Sequence, residues 1–195
     1  MATPPPPHRT RPAVALLRSL GRLLSAIALL WLLALAALWA WRQPLFDTPR
    51  TLWELSRMPP PETLPVPVQG VQAGRIAATF GAPRDGGRSH AGVDIFAARG
   101  TPVTSTTRGV VRAIADRGLG GRQVWVLGPG GERHYYAHLD DWVPGLAEGD
   151  IVQPGTPLGT VGNTGNARTT PPHLHYGIYG REGAIDPLPR MRAGH

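Results

Sequence analysis

Cysteine and lysine are both absent from this 195-residue chain. Without cysteine there is no disulfide, no thiolate metal site and no lipid-anchored thiol. Without lysine, all 20 basic residues are arginine, a compositional bias that no single site explains. Internal repeats are missing too, as is any basic run interleaved with aromatics, so the formal charge of +7 does not mark a nucleic-acid binder. That charge is uneven. Residues 1–22 hold four arginines and no acid, residues 42–69 are balanced, and residues 70–195 set 13 arginines against 10 acids. More than half of the excess precedes an apolar run, where membrane topology accounts for it.

The run is Leu23 to Trp41, nineteen residues with Ser25 as the only polar member. As a helix it reaches about 28 Å, one bilayer core. Arg18 and Arg22 stand before it, and Trp39 and Trp41 sit at its far end, where an aromatic belt belongs. The reading is a single-pass anchor in the cytoplasmic membrane, N-terminus in and the rest outside, on the periplasmic or wall side. A cleaved signal peptide is the rival, but the run is long and ends in bulky Leu38-Trp39-Ala40-Trp41 where cleavage wants small residues. A buried core helix is disfavoured because the run has no polar face.

The proline-rich residues 1–12 read as disordered. After the anchor, Thr48 can cap a short helix, Pro49 suits its first position and Pro59 ends it. Residues 59–69 (PPPETLPVPVQ) read as an extended spacer of about 34 Å that lifts the following domain off the bilayer. The expected organisation is a basic arm at 1–22, an anchor at 23–41, a helix and spacer at 42–69, a domain at 70–190 and a tail at 191–195.

From Gly70 onward valine-rich runs alternate with turn clusters such as GLGG and GPGG. Candidate strands are 75–80, 93–97, 109–115, 123–127, 133–138, 156–161 and 173–179. Their length and spacing predict an all-β domain, an antiparallel sandwich or open barrel.

Five residues stand out against this background: His90 and Asp94 in HAGVD, His138 in YYAHLD, and His173 and His175 in PPHLHYG. On a strand, residues two apart share a face, so His173 and His175 look into one space while Leu174 packs behind. One can bind metal while the other addresses substrate. His90 and Asp94 can converge on one ion if a loop ends at the first and a strand begins at the second, and imidazole and carboxylate are ordinary zinc ligands. Each pair alone is weak evidence. Three separated elements that each offer such a residue change the weighing. Three protein ligands leave a fourth position for water or substrate, and spare imidazoles beside the ion can move protons.

HAGVD, YYAHLD and HLHY, in this order, resemble the LytM/lysostaphin family of zinc endopeptidases. FGAPR before the first motif, GTPV after it, GDIVQPGTPLGTVGNTGN before the last and Ile185-Asp186-Pro187 at the end extend the resemblance over about residues 70–190. It implies a compact antiparallel β domain with its metal in a groove. It implies His90, Asp94 and His175 as ligands of one zinc, and His138 and His173 as an unliganded catalytic pair. Arg84 falls where some members place a residue near the substrate carbonyl. Two departures bear on substrate preference and metal tuning: residues 166–172 are longer than is common, and Gly177 follows Tyr176 where an acid is frequent.

The family cleaves peptide bonds of bacterial peptidoglycan, in cross-links or in stem peptides. The expectation is therefore a membrane-anchored, zinc-dependent peptidoglycan endopeptidase, with peptidoglycan and the membrane as partners and no nucleic acid. The alternative is a non-catalytic relative that binds and activates wall amidases; a full set of five metal and proton-transfer residues argues against it. A non-haem iron site is a third reading, but that site commonly uses His-x-Asp spacing rather than His-x-x-x-Asp.

Overall fold

A computed structural model describes residues 12–194, and the chain divides into two units, residues 1–47 and 48–195. The expectation of disorder before residue 12 lies outside the described residues. In the first unit helix α1 spans Pro12–Trp41. It starts well before Leu23, taking Arg18 and Arg22 into its first turns, because no proline falls between Pro12 and Leu23 and the lone Gly21 is tolerated. Val14–Trp41 is long and apolar enough to cross a membrane, as an anchor helix or as a signal sequence.

The second unit opens with α2, Asp47–Arg57, which buries Thr51 and Leu55 and leaves Trp53 half-exposed. The hydroxyl of Thr48 donates to the Gly149 carbonyl at 3.1 Å, tying the helix start to the β domain.

The segment after α2 corrects the spacer expectation. Leu64 and Val68 are each only 1% exposed and belong to the hydrophobic core. The Leu64 amide donates to Arg190 O, the Gln69 amide to Pro102 O, and Val68 bridges to Val103. Alternation explains it: Leu64, Val66 and Val68 point one way, and that apolar row gains more from burial than from water. Residues 75–80 also differ from expectation. They form a turn at Ala73–Arg75 and then irregular chain, with Ile76 buried while the next residues are exposed.

Twelve strands follow: β1 Pro83–Arg84, β2 Arg88–Ser89, β3 Val93–Phe96, β4 Pro102–Thr104, β5 Gly109–Arg117, β6 Gly121–Leu127, β7 Arg133–Ala137, β8 Leu139–Trp142, β9 Ile151–Val152, β10 Pro157–Val161, β11 His173–Gly180 and β12 Gly183–Ile185. Seven make a half-barrel sheet in the order β12-β11-β7-β6-β5-β9, with β3 sharing the β12 edge of β11. A second sheet, β4-β10-β8, and the small pair β1-β2 complete the set. The strand pairs are antiparallel. Val124, Val126, Tyr136, Leu174, Tyr176 and Ile178 of the large sheet close a core with Leu139, Leu158 and Val161 of the second. Helix α3, Leu188–Ala193, adds Leu188 and Met191, so the ordered chain runs past residue 190 rather than ending there in a tail.

Candidate metal centre

Strand β11 builds the site. Across one edge His175 stands directly opposite Asp94, and across the other directly opposite Ala137. Directly opposed residues share a face with side chains about 5 Å apart, so this register sets an imidazole beside a carboxylate. Ala137 is small and leaves the space above it open. The loop carrying His90 packs onto β11 at Gly92. A Cβ there would lie 2.4 Å from Tyr176 O and 2.9 Å from His175 Cε1, so only glycine allows the approach.

The result is a cluster of donor atoms. His90 Nε2 lies 2.9 Å from His175 Nδ1, and each lies 3.1 Å from Asp94 Oδ1. A tetrahedron with bonds of zinc length has edges of about 3.3 Å, so the three atoms fit three of its corners. Among the described residues this is the group of His and carboxylate side chains close enough to hold an ion. His90 Nδ1 is 2.8 Å from Thr79 O and 2.9 Å from Arg84 Nη2. A carbonyl only accepts and a guanidinium only donates, so one nitrogen cannot serve both. The tautomer with Nδ1–H on Thr79 O turns the Nε2 lone pair toward the cluster. Arg84, partly exposed, donates to Asp94 Oδ2 at 2.5 Å and leaves Oδ1 for the cluster. Burial works to raise the Asp94 pKa. The neighbouring His175 and His90 rings and the bond from Arg84 outweigh it and hold the carboxyl well below the usual range.

His138 and His173 flank this group. In a regular strand His138 would join His134 and Tyr136 on the inner face. Its φ of 63° ends the strand and turns it outward, the one positive φ among the described non-glycine residues. Its amide donates to Gly120 O and its Nδ1 to Thr164 O, both at 2.9 Å. His173 Nδ1 donates to Pro171 O at 2.9 Å. Both rings therefore carry the proton on Nδ1 and present Nε2 lone pairs. His173 Nε2 is 3.9 Å from Asp94 Oδ1, and the rings of His138 and His173 stand 5.1 Å apart. Burial, then the neighbouring His173 and His175, push His138 down to about 4; burial likewise lowers His175. Thr164 sits in a tight corner, since a Cβ on the adjacent Gly165, with φ of 66°, would fall 2.2 Å from Leu119 O.

All six residues singled out in the sequence meet in one groove of about 420 Å³. Sequence reasoning missed its walls. Trp125 stacks on Tyr135 at 4.2 Å, Tyr179 closes on Trp125 at 5.5 Å, and Tyr135 meets His175 edge-on at 5.8 Å. Phe96, 56% exposed, lies 5.0 Å from the His173 ring. Their signal was the scatter of aromatics through β6, β7 and β11, which needs the strand register before it points anywhere.

The chain is similar to several known proteins. The L-Ala–D-Glu endopeptidase of Bacillus subtilis is 43% identical over 117 residues, covering 55% of this chain and 36% of the relative. The chain thus spans about a third of that relative's length. Among solved structures, the catalytic domain of the antimicrobial peptidase lysostaphin from Staphylococcus simulans matches with a TM-score of 0.54 at 30% identity, over 60% of this chain and 92% of that one. A peptidase M23 structure from Pseudomonas aeruginosa matches with a TM-score of 0.57 at 27% identity, over 78% of this chain and 63% of that one. The family model for peptidase family M23 matches residues 88–187, just over half of the chain and every strand that carries a cluster residue, and the protein belongs to that family.

Proposed function

We propose that the chain is a zinc-dependent endopeptidase acting on the peptides of peptidoglycan, held by α1 in the cytoplasmic membrane with the domain outside. The observation that carries the reading is the three-atom donor cluster of His90, Asp94 and His175 facing two imidazoles whose Nε2 atoms are free to exchange protons. Those three residues would hold zinc, which when bound supplies electrophilic assistance and a more acidic water. His138 and His173 would share the remaining work. One Nε2 takes the proton of the water that attacks the scissile carbonyl carbon. A ring in its protonated form then steadies the oxyanion or returns the proton to the leaving amine as the C–N bond breaks. Arg84 would fix the Asp94 carboxylate rather than meet the substrate oxygen, since its guanidinium is already engaged there. The relative that cleaves L-Ala–D-Glu bonds makes stem peptides one candidate substrate and cross-links another. The arginines ahead of the apolar run support the membrane orientation.

The test uses the detergent-solubilised full chain, because Leu64 and Val68 belong to the domain core. Chemically defined peptidoglycan is digested and new termini are identified by mass spectrometry, with zinc measured by elemental analysis. Wild type should hold one zinc and release new termini. His138→Ala and His173→Ala should keep zinc and lose roughly 10²–10⁴ in rate. His175→Ala should lose zinc. A zinc-loaded wild type that liberates no peptide termini would sink the proposal.

A further inference from the structure

The floor of the groove does not stop at the metal cluster. It continues along one face of the half-barrel, from His175 to Tyr135 at 5.8 Å and from Tyr135 to Trp125 at 4.2 Å. Beyond Trp125 the same face sinks into a second hollow of about 230 Å³, lined by Arg112, Ala113, Trp125, Val126, Leu127 and Arg133. Trp125 is the shared wall.

Both arginines are brought there by backbone register. Val111 pairs with Val126 and Ala113 with Trp125, so Arg112 is the extra residue of a β-bulge. A bulge re-aims a side chain that regular alternation would send elsewhere. Arg133 stands opposite Leu127 on one side and Tyr179 on the other, with its guanidinium 6.0 Å from the Tyr179 ring. Both side chains are exposed, and neither pairs with a carboxylate among the described residues. Other arginines of this unit do pair, for example Arg108 with Glu54 and Arg190 with Glu132. Two unpaired guanidinium groups over an apolar floor are complementary to a short aliphatic chain ending in a carboxylate.

We propose that Arg112, Arg133 and Trp125 form a subsite for the carboxylate of an acidic residue in the bound peptide, so that the enzyme prefers acidic stem peptides to neutral ones. This rests on the endopeptidase reading above.

The experiment compares an L-Ala–D-Glu-containing stem peptide with the same peptide amidated at the free glutamate carboxylate, on the full chain in detergent. Cleavage kinetics and calorimetric binding are both measured, for wild type, Arg112→Gln and Arg133→Gln. In wild type the acidic peptide should bind roughly tenfold more tightly, the usual worth of a charge-assisted hydrogen bond. Each variant should raise KM and Kd for the acidic peptide five- to tenfold, leave kcat alone and leave the amidated peptide unaffected. The preference should shrink as salt is raised. Equal binding of the two peptides by wild type, or equal losses on both in the variants, overturns the subsite. Selective binding without cleavage keeps the subsite and overturns the endopeptidase reading; cleavage without selectivity does the reverse.

Discussion

His134 shows how one side chain can set the acid limit of the whole domain. It is fully buried, with Nδ1 2.8 Å from the Tyr176 hydroxyl and 3.2 Å from Thr106 Oγ1, while Nε2 has no hydrogen-bond partner. Tyr136 shares the same hydroxyl network, and Glu132 faces Nε2 at 3.9 Å but is held by Arg190. Burial, then the charge of Arg190, push its pKa down to about 3 from an ordinary 6.5. The folded state therefore refuses a proton that the unfolded chain accepts. The stabilisation is complete above pH 6.5 and is lost as pH falls from there toward 3, at up to about 1.4 kcal/mol per pH unit. The urea midpoint of the wild type should drop over that window more steeply than that of His134→Gln; parallel profiles would remove His134 from the account. At this scale the candidate site was largely legible. His90, Asp94, His138, His173 and His175 are chemically distinctive, and HxH on a strand fixes a shared face. Trp125, Tyr135 and Arg112 were not legible. An aromatic in a strand reads as core until its pairing is known, and nothing in the sequence marks Arg112 as the residue of a bulge.

Among elements, the segment from Pro59 to Gln69 is where composition and pattern gave opposite advice. Its prolines read as a spacer, yet Leu64, Val66 and Val68 alternate as a half-buried extended chain does. The pattern prevailed because prolines suit an edge position, where few backbone amides are needed. Leu64→Ala should lower stability by about 2–5 kcal/mol, the cost of a cavity in a closed core, whereas the exposed Glu62→Ala should change it little. A urea melt of both variants decides this; a silent Leu64→Ala would return the segment to the role of a tether. The strand expected at 75–80 failed for the converse reason. Of that run only Ile76 is buried, and a strand needs a whole face to cover. The remaining strong strands were legible from their valine runs and bounding turns. The two- and three-residue ones were not, since so short a run has no period.

For the molecule as a whole, α1 is an apolar helix with four polar or charged side chains, Arg18, Ser19, Arg22 and Ser25, near its start. If it stays in the bilayer, the full chain should remain with membranes at high salt, because insertion does not depend on screened charge. Protease added from the outer face should then digest the β domain. A salt-soluble mature chain beginning after Ala40 would assign α1 to the signal sequences instead. The other feature of this scale is the margin of the half-barrel. Its boundary strands β9, β12 and β3 have two, three and four residues. Such margins offer no ladder for an incoming peptide to join as an extra strand. On the proposed reading, a bound peptide would lie over the sheet face, gripped through its side chains and scissile carbonyl rather than through a run of its own backbone amides. A ladder would require residues of one handedness linked through their main chain. A face does not, and the substrate proposed above, with D-residues and side-chain linkages, is of the kind that a face suits.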